Sequence, residues 1–237
     1  LVSALLHASW NLLAKGVRGV YGVAWWYALV GSVAFAPMGV TVWLRAEWAP
    51  SLLGWGFLVG SALLHVGYFT TLQRAYGSGD LSLVYPLARG SGPVLSVVAA
   101  VVLLGERPGV WGWWGAGLVA LAMFGLAQGA GSQGSRRAVT LGLLTGVFIA
   151  AYTLWDAVAV TRVGVPVALF VWLSEVLRAV ALSPMAWRDR DEVVRVWRTS
   201  RGALVGVGVL SPLAYLMVLW ALTFAPVSIV APLREVS

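Results

Sequence analysis

Three charged residues within long apolar stretches of the sequence are the side chains best suited to chemistry. They are Arg89, Asp156 and Glu175. A charge in apolar surroundings is costly unless it meets a partner or a ligand. An arginine fork suits a carboxylate or phosphate group, whereas a buried carboxylate can load and release a proton. Arg89 is therefore predicted to bind an anionic group, unless it serves as an ion-pair partner of Glu175 or Asp156.

Other charged residues leave a structural and a functional interpretation open. Glu175 and Arg178 are three residues apart and share a helix face, so an internal neutralising pair is as plausible as a proton carrier. Asp156 is a second proton-coupling candidate, with a hydrogen bond to a neighbouring helix as the alternative. Arg234 and Glu235 point about 100° apart on a helix, so only one of them is expected to face a cavity.

Polar aromatic residues complete the predicted binding set, because a ring with a polar handle suits the wall of a binding cavity. The alternative for each tyrosine is helix packing with its hydroxyl on a backbone carbonyl. The predicted substrate-binding residues are Arg89, His7, Trp10, Asn11, Tyr68, Tyr85, Tyr152, Trp155, Tyr215 and Arg234, and the proton-coupling candidates are Asp156, Glu175 and Glu235.

The residue inventory excludes most enzyme classes. The chain has no cysteine and two histidines, so neither a metal centre nor another cofactor is predicted. Neither a His-Glu-x-x-His motif, a P-loop nor a nucleophile elbow is present, and we predict no enzymatic activity. The net charge of +7 comes from cations spread thinly between apolar stretches, as in membrane loops, so no nucleic acid is expected as a partner.

The elements that position these residues are predicted to be membrane helices. Hydrophobic residues make up 60% of the chain and charged ones 11%, against about 25% charged in soluble domains. Apolar stretches of about 20 residues, each long enough to cross a bilayer, are broken by Gly, Pro and charge. The predicted spans are 1–16, 20–44, 52–76, 81–104, 110–130, 139–161, 165–187, 202–224 and the start of a ninth at 227–237. Segment 187–201 is predicted to lie on the membrane surface.

An internal repeat organises these spans. Trp10-Asn11 matches Trp155-Asp156, Ala36-Pro37-Met38 matches Ser183-Pro184-Met185, and Leu83–Leu87 matches Ile229–Leu233, at offsets of 145, 147 and 146. Five spans per repeat force the second half to insert upside down, as in many secondary transporters. We predict an all-α polytopic membrane protein of two inverted five-helix repeats: 1–130, a linker at 131–138, and 139–237. On this count ten helices are expected, the last one and a half lying beyond Ser237.

Several segments resemble EamA-type members of the drug/metabolite transporter (DMT) superfamily. They are Ala4–Asn11, Tyr85–Pro93 continuing to Leu103-Leu104-Gly105-Glu106-Arg107, and Ala231–Glu235. The resemblance implies ten helices around a central cavity and transport of small metabolites, often export. Glu106 and Arg107 are interpreted as structural loop residues. Ten tryptophans near span ends are typical of an aromatic belt: Trp25, Trp26, Trp43, Trp48, Trp55, Trp111, Trp113, Trp114, Trp187 and Trp197.

The favoured function is a permease of the bacterial inner membrane that moves a small polar metabolite, anionic if Arg89 is its anchor, by alternating access. The alternatives are a non-transporting membrane partner of an enzyme complex and, ranked lowest, a lipid-modifying enzyme. The expected partners are the small-molecule substrate and the lipid bilayer, with a homodimer as a possible assembly. Loop cations, ten on one side against three on the other, place the N-terminus outside. The family resemblance implies the reverse, and orientation stays open.

Overall fold

The computed structural model describes residues 2–14, 16–45, 51–76, 78, 81–129 and 136–234, with the backbone alone at 4, 81–83, 85, 111, 123, 124 and 126–129. Within these ranges every regular element is an α-helix. The helices are α1 (Val2–Ala14), α2 (Tyr21–Arg45), α3 (Leu52–Tyr76), α4 (Leu81–Leu104), α5 (Val110–Gly129), α6 (Arg136–Thr161), α7 (Val167–Arg188), α8 (Arg190–Leu222) and α9 (Val227–Arg234).

Six of these helices are long and apolar enough to cross a membrane: α2, α3, α4, α6, α7 and α8. Helix α5 (Val110–Gly129) is also apolar, and its side chains are described without a gap over Gly112–Ala122. The predicted class, an all-α polytopic membrane protein, is thereby confirmed. Of the predicted linker 131–138, residues 131–135 lie outside the described residues, and α6 begins at Arg136.

The segment before the eighth predicted span is helical. Segment 187–201 was expected to be separate from the span that follows it, and α8 begins within this segment at Arg190. Asp189 accepts the backbone N–H of Glu192 at 3.3 Å and so caps the new helix, while Asp191 and Glu192 favour its first turn. The backbone leaves helical geometry only at Ser200 (φ −140°, ψ 21°). This break divides α8 into two helical parts beside the boundary predicted between segment 187–201 and the span beginning at 202.

The chain divides into two compact units, of which the first contains Leu1–Val66 and Trp155–Phe224. In this unit α2 packs against α7 and α8, and α1 packs against α8. Close packing depends on glycine, because a Cβ at Gly31 would lie 3.1 Å from the carbonyl oxygen of Gly208 and one at Gly208 would lie 2.6 Å from Cβ of Val30. Small residues of this kind let membrane helices approach each other closely.

Tryptophan N–H groups fasten helices of the first unit to one another. Trp172 of α7 donates to the carbonyl oxygen of Ser32 on α2 at 3.0 Å. Trp25, which the sequence assigned to the aromatic belt, donates to the hydroxyl oxygen of Ser183 at 3.1 Å. Such hydrogen bonds hold helices together where the lipid offers no alternative partner. No feature of the sequence distinguished Trp172 from its neighbours in advance.

The second unit contains Gly67–Leu154 and Ala225–Val236. Here α4 packs against α5 and α9, and α6 approaches α4 through glycine, since a Cβ at Gly142 would lie 3.3 Å from Cβ of Leu87. The carboxylate of Glu106 accepts the backbone N–H groups of Val227 and Ser228, each at 2.8 Å. Glu106 thus caps α9, which agrees with its interpretation as a structural residue.

Helix positions agree with the repeat found in the sequence. α2 begins at Tyr21 and α7 at Val167, and α4 begins at Leu81 and α9 at Val227, so both pairs are offset by 146 residues. In each unit one helix packs on its own repeat counterpart, α2 on α7 in the first unit and α4 on α9 in the second. This pairing is expected when two related halves associate around a pseudo-twofold relation.

Candidate functional site

Six of the predicted site residues belong to two polar groups, one in each unit. The group of the second unit holds Arg89 on α4, Arg234 on α9, Tyr152 on α6 and Tyr68 on α3. The group of the first unit centres on Asp156 of α6. Helices α3 and α6 therefore each contribute residues to both groups.

Arg234 and two tyrosines form the best-defined part of the second unit's group. Arg234 is 4% exposed, and its guanidinium carbon lies 5.8 Å from the ring centroid of Tyr152, within the range of a cation–π contact. The Tyr152 ring in turn meets the ring of Tyr68 edge-on, with centroids 5.5 Å apart. A buried cation is thus held against an aromatic wall that carries two hydroxyl groups.

Arg89 is the second buried cation of this unit, 9% exposed on α4. At the 146-residue offset its counterpart is Glu235, which lies outside the described residues, and Arg234 is one position before it. Because α4 packs against α9, the repeat places an arginine at comparable depth in two neighbouring helices. The side chain of Tyr85, also predicted for this site, is outside the described part of the chain.

The first unit's group is a hydrogen-bonded contact between α6 and α8. The hydroxyl of Tyr215 donates to a carboxylate oxygen of Asp156, which is fully buried. The Tyr215 ring lies edge-on to the imidazole of His65, with centroids 5.4 Å apart, and Nδ1 of His65 is 3.0 Å from the carbonyl oxygen of Ser61. Asp156 thus has the interhelical hydrogen bond that was its structural alternative, and its partner is a second predicted site residue.

Glu175 and Arg178 form the ion pair that their spacing predicted. The Glu175 carboxylate is buried between α2 and α8, since a Cβ at Gly31 would lie 3.1 Å from Cδ of Glu175. Nε of Arg178 also donates to the carbonyl oxygen of Ser174 at 3.3 Å. The pair neutralises a carboxylate within a packed helix junction, and proton transfer through Glu175 stays a prediction.

The predicted residues of α1 form a small group on that helix. His7 is buried, with Nδ1 3.1 Å from the carbonyl oxygen of Ser3, and its ring centroid is 5.7 Å from that of Trp10. Asn11 donates to the carbonyl oxygen of His7 at 2.8 Å. Nε1 of Trp10 is buried and has no hydrogen-bond partner in the described part of the chain.

Trp155 takes part in helix packing, although it was predicted to bind substrate. Its Nε1 donates to the carbonyl oxygen of Phe57 at 2.8 Å, and a Cβ at Gly60 would lie 2.6 Å from its ring. The side chain is 38% exposed. The contact between α6 and α3 therefore gives Trp155 a structural role.

Among the described residues, no group of three or more His, Asp or Glu side chains could hold a metal ion.

Glu192 was not singled out from the sequence, yet it accepts the backbone N–H of Gly22 at 2.8 Å and so caps α2. Like Glu106, it acts on a helix far away along the chain. A distant cap of this kind leaves no local pattern in a single sequence.

Comparison with known proteins agrees with the resemblance seen in the sequence. A model of the EamA-like transporter family matches residues 1–128, which is more than half of the 237 residues. Comparison with curated proteins finds no significant match. The helical membrane fold and this match together show that the chain belongs to the EamA-like transporter family of the DMT superfamily.

Proposed function

We propose that this chain is a secondary active transporter that moves a small polar metabolite with an anionic group by alternating access. The observation that carries the proposal is the burial of Arg234 against the ring of Tyr152, in a unit that also buries Arg89. Membership of a transporter family supports transport in general. The arginines supply the argument for the class of substrate.

Helix packing alone does not explain two buried arginines. Ionisable residues at membrane depth are costly and usually mark substrate or ion pathways. A guanidinium group offers a planar set of donors that matches a carboxylate or phosphate. With Arg89 and Arg234 in neighbouring helices, a substrate carrying one or two anionic groups would accept hydrogen bonds from both guanidinium groups.

The tyrosines would orient the rest of such a substrate. Tyr152 lies beneath the Arg234 guanidinium, and Tyr68 meets the Tyr152 ring edge-on. Phenol hydroxyls can donate or accept hydrogen bonds, so they suit hydroxyl, amine or amide groups beside the anionic one. We therefore favour a compact, multiply polar metabolite over a hydrophobic drug.

Asp156 is the preferred proton carrier among the three candidates. Its carboxyl group can be charged or neutral, and the hydroxyl of Tyr215 contacts it directly. Glu175 already shares its charge with Arg178, which favours a structural role. Protonation of Asp156 would change the charge of the first unit's group during a transport cycle, and transport would draw on a proton gradient.

Flux measurements in proteoliposomes test this function. Counterflow of a radiolabelled anionic substrate, chosen by ligand stabilisation, should fall at least tenfold in Arg234→Gln and in Arg89→Gln. The matched control is Arg45→Gln, which removes an exposed arginine at the end of α2. Asp156→Asn should keep counterflow and lose uptake driven by a proton gradient. Full activity of both buried-arginine variants would refute the proposed binding mode, and absence of flux under every gradient would refute transport.

A further inference from the structure

The junction between α7 and α8 carries a charged segment that the transport proposal does not use. We define the interfacial segment as residues 187–201, which runs from the last turn of α7 to the kink at Ser200 and the arginine after it. Helix α8 forms most of it. Its two faces have different environments.

The inner face of the interfacial segment is docked on α2. Glu192 accepts the backbone N–H of Gly22 at 2.8 Å, and the indole N–H of Trp26 donates to the carbonyl oxygen of Val193 at 3.0 Å. The ring of Trp197 stacks on that of Trp26, with centroids 4.2 Å apart. These contacts fix the rotation of the segment and so determine which residues face outward.

The outer face of the interfacial segment is basic. Five arginines and three carboxylates lie in it, but Glu192 caps α2 and Asp189 caps α8. Asp191 is therefore the only carboxylate of the segment that is not used as a cap. The arginines, all exposed, are Arg188, Arg190, Arg195, Arg198 and Arg201. With five arginines and three carboxylates, the segment has a net charge of +2, and Asp191 is the carboxylate left to face the arginines of the outer face.

A groove on this face brings two of the arginines close to Asp191. It has a volume of about 350 Å³ and is lined by Asp191, Val194, Arg195, Arg198 and Thr199. Arg195 and Arg198 are three residues apart and share a helix face. Two guanidinium groups on one face can hold a phosphodiester between them, and the Asp191 carboxylate can accept hydrogen bonds from hydroxyl groups next to that phosphate.

The position of the groove relative to the two spans indicates which molecules can bind in it. Apart from the paired Glu175 and Arg178, helix α7 carries no charge before its last turn, and the apolar part of α8 follows the kink at Ser200. The interfacial segment therefore lies where two spans leave the membrane. Trp187 is 81% exposed and Val194 is also exposed, which suits insertion among acyl chains next to the headgroups. Lipid headgroups occupy this level.

We propose that the interfacial segment binds an anionic phospholipid with a hydroxyl-bearing headgroup. Arg195 and Arg198 hold the phosphate, Asp191 accepts hydrogen bonds from the headgroup hydroxyls, and Val194 contacts the acyl chains. The proposal is independent of the transported substrate, because all of its residues lie at the membrane surface and none belongs to the two polar groups described above.

Native mass spectrometry of the purified full chain with phosphatidylglycerol or phosphatidylcholine tests the proposal. The wild type should retain phosphatidylglycerol in preference to phosphatidylcholine. Each basic residue near the surface contributes about fivefold to anionic-lipid affinity, so Arg195→Gln with Arg198→Gln should weaken phosphatidylglycerol binding about 30-fold. The control, Arg45→Gln with Arg162→Gln, removes the same charge from two exposed positions elsewhere and should retain wild-type binding.

Three results would overturn the lipid site. They are equal retention of the two lipids by the wild type, unchanged retention by the groove variant, and an equal loss in the control variant. Glycerol 3-phosphate, a soluble anion with the same chemistry, should not displace the lipid at equal concentration. Displacement by it would assign the groove to a soluble ligand and contradict the proposal.

Discussion

Removal of the Glu106 carboxylate should destabilise α9, the helix that carries Arg234. The two oxygens of Glu106 accept the N–H groups of Val227 and Ser228, each at 2.8 Å. In Glu106→Ala two N–H groups at the start of the helix lose their acceptor, at a cost of about 0.5–2 kcal/mol for a lost cap. The loss of a negative charge at the positive end of the helix dipole adds about 0.3–1 kcal/mol.

The combined loss for Glu106→Ala is about 2 kcal/mol, which for a chain of this size lowers Tm by roughly 4–8 °C. Glu106→Gln keeps one acceptor oxygen and loses the charge, so about half of that shift is expected. The assay is thermal unfolding of purified protein in detergent, followed by intrinsic fluorescence. Arg107→Gln is the control, because Arg107 is exposed beside the cap. An unchanged Tm in Glu106→Ala, or an equal shift in the control, would refute the capping argument.

Three further changes test the packing and the polar groups. Gly39→Ala places a methyl group against the ring of Trp172 on α7 and should lower the free energy of unfolding by about 1–3 kcal/mol. The control is Gly117→Ala, whose methyl group meets open space and which should unfold like the wild type. Glu175→Gln and Arg178→Gln should each lower the free energy of unfolding by about 3 kcal/mol. The double variant should lose clearly less than the sum of the two single losses. Additive losses in SDS-unfolding titrations would contradict the ion pair. Tyr215→Phe removes the hydroxyl that donates to the buried carboxylate of Asp156 and should lower the free energy of unfolding by about 1–3 kcal/mol. Equal stability in the same titration would show that this hydrogen bond is unimportant.

The helices were predictable because a bilayer leaves the backbone few alternatives. A chain that must satisfy its N–H and C=O groups within lipid forms helices, and the length of an apolar run then gives the span. Breaks at charged and glycine-rich positions gave bounds close to those of α3 (Leu52–Tyr76) and α4 (Leu81–Leu104). The start of α6 differs: it lies at Arg136, three residues before the predicted 139, because a helix can continue through the charged residues at which the apolar run ends.

The residue types of the site could be predicted from the sequence, but only some of the contacts between these residues could. The spacing of Glu175 and Arg178 fixed their pairing, because both lie on one helix face. The contact between Asp156 and Tyr215 joins residues 59 positions apart, and that between Arg234 and Tyr152 joins α9 to α6. Such partners depend on which helices become neighbours, which a single sequence does not state.

The charge of the bound substrate is the point on which the account of function depends most. The direct measurement is thermal stabilisation of the purified chain by matched compounds that differ in one charged group, namely a carboxylate or phosphate, its neutral amide or ester, and an amine analogue. An anionic compound at about 100 times its Kd should stabilise the protein by about 2.7 kcal/mol, and Arg89→Gln or Arg234→Gln should abolish the effect. Stabilisation by the amines alone, unchanged in both arginine variants, would contradict the account and move the anchor to Asp156 or Glu175.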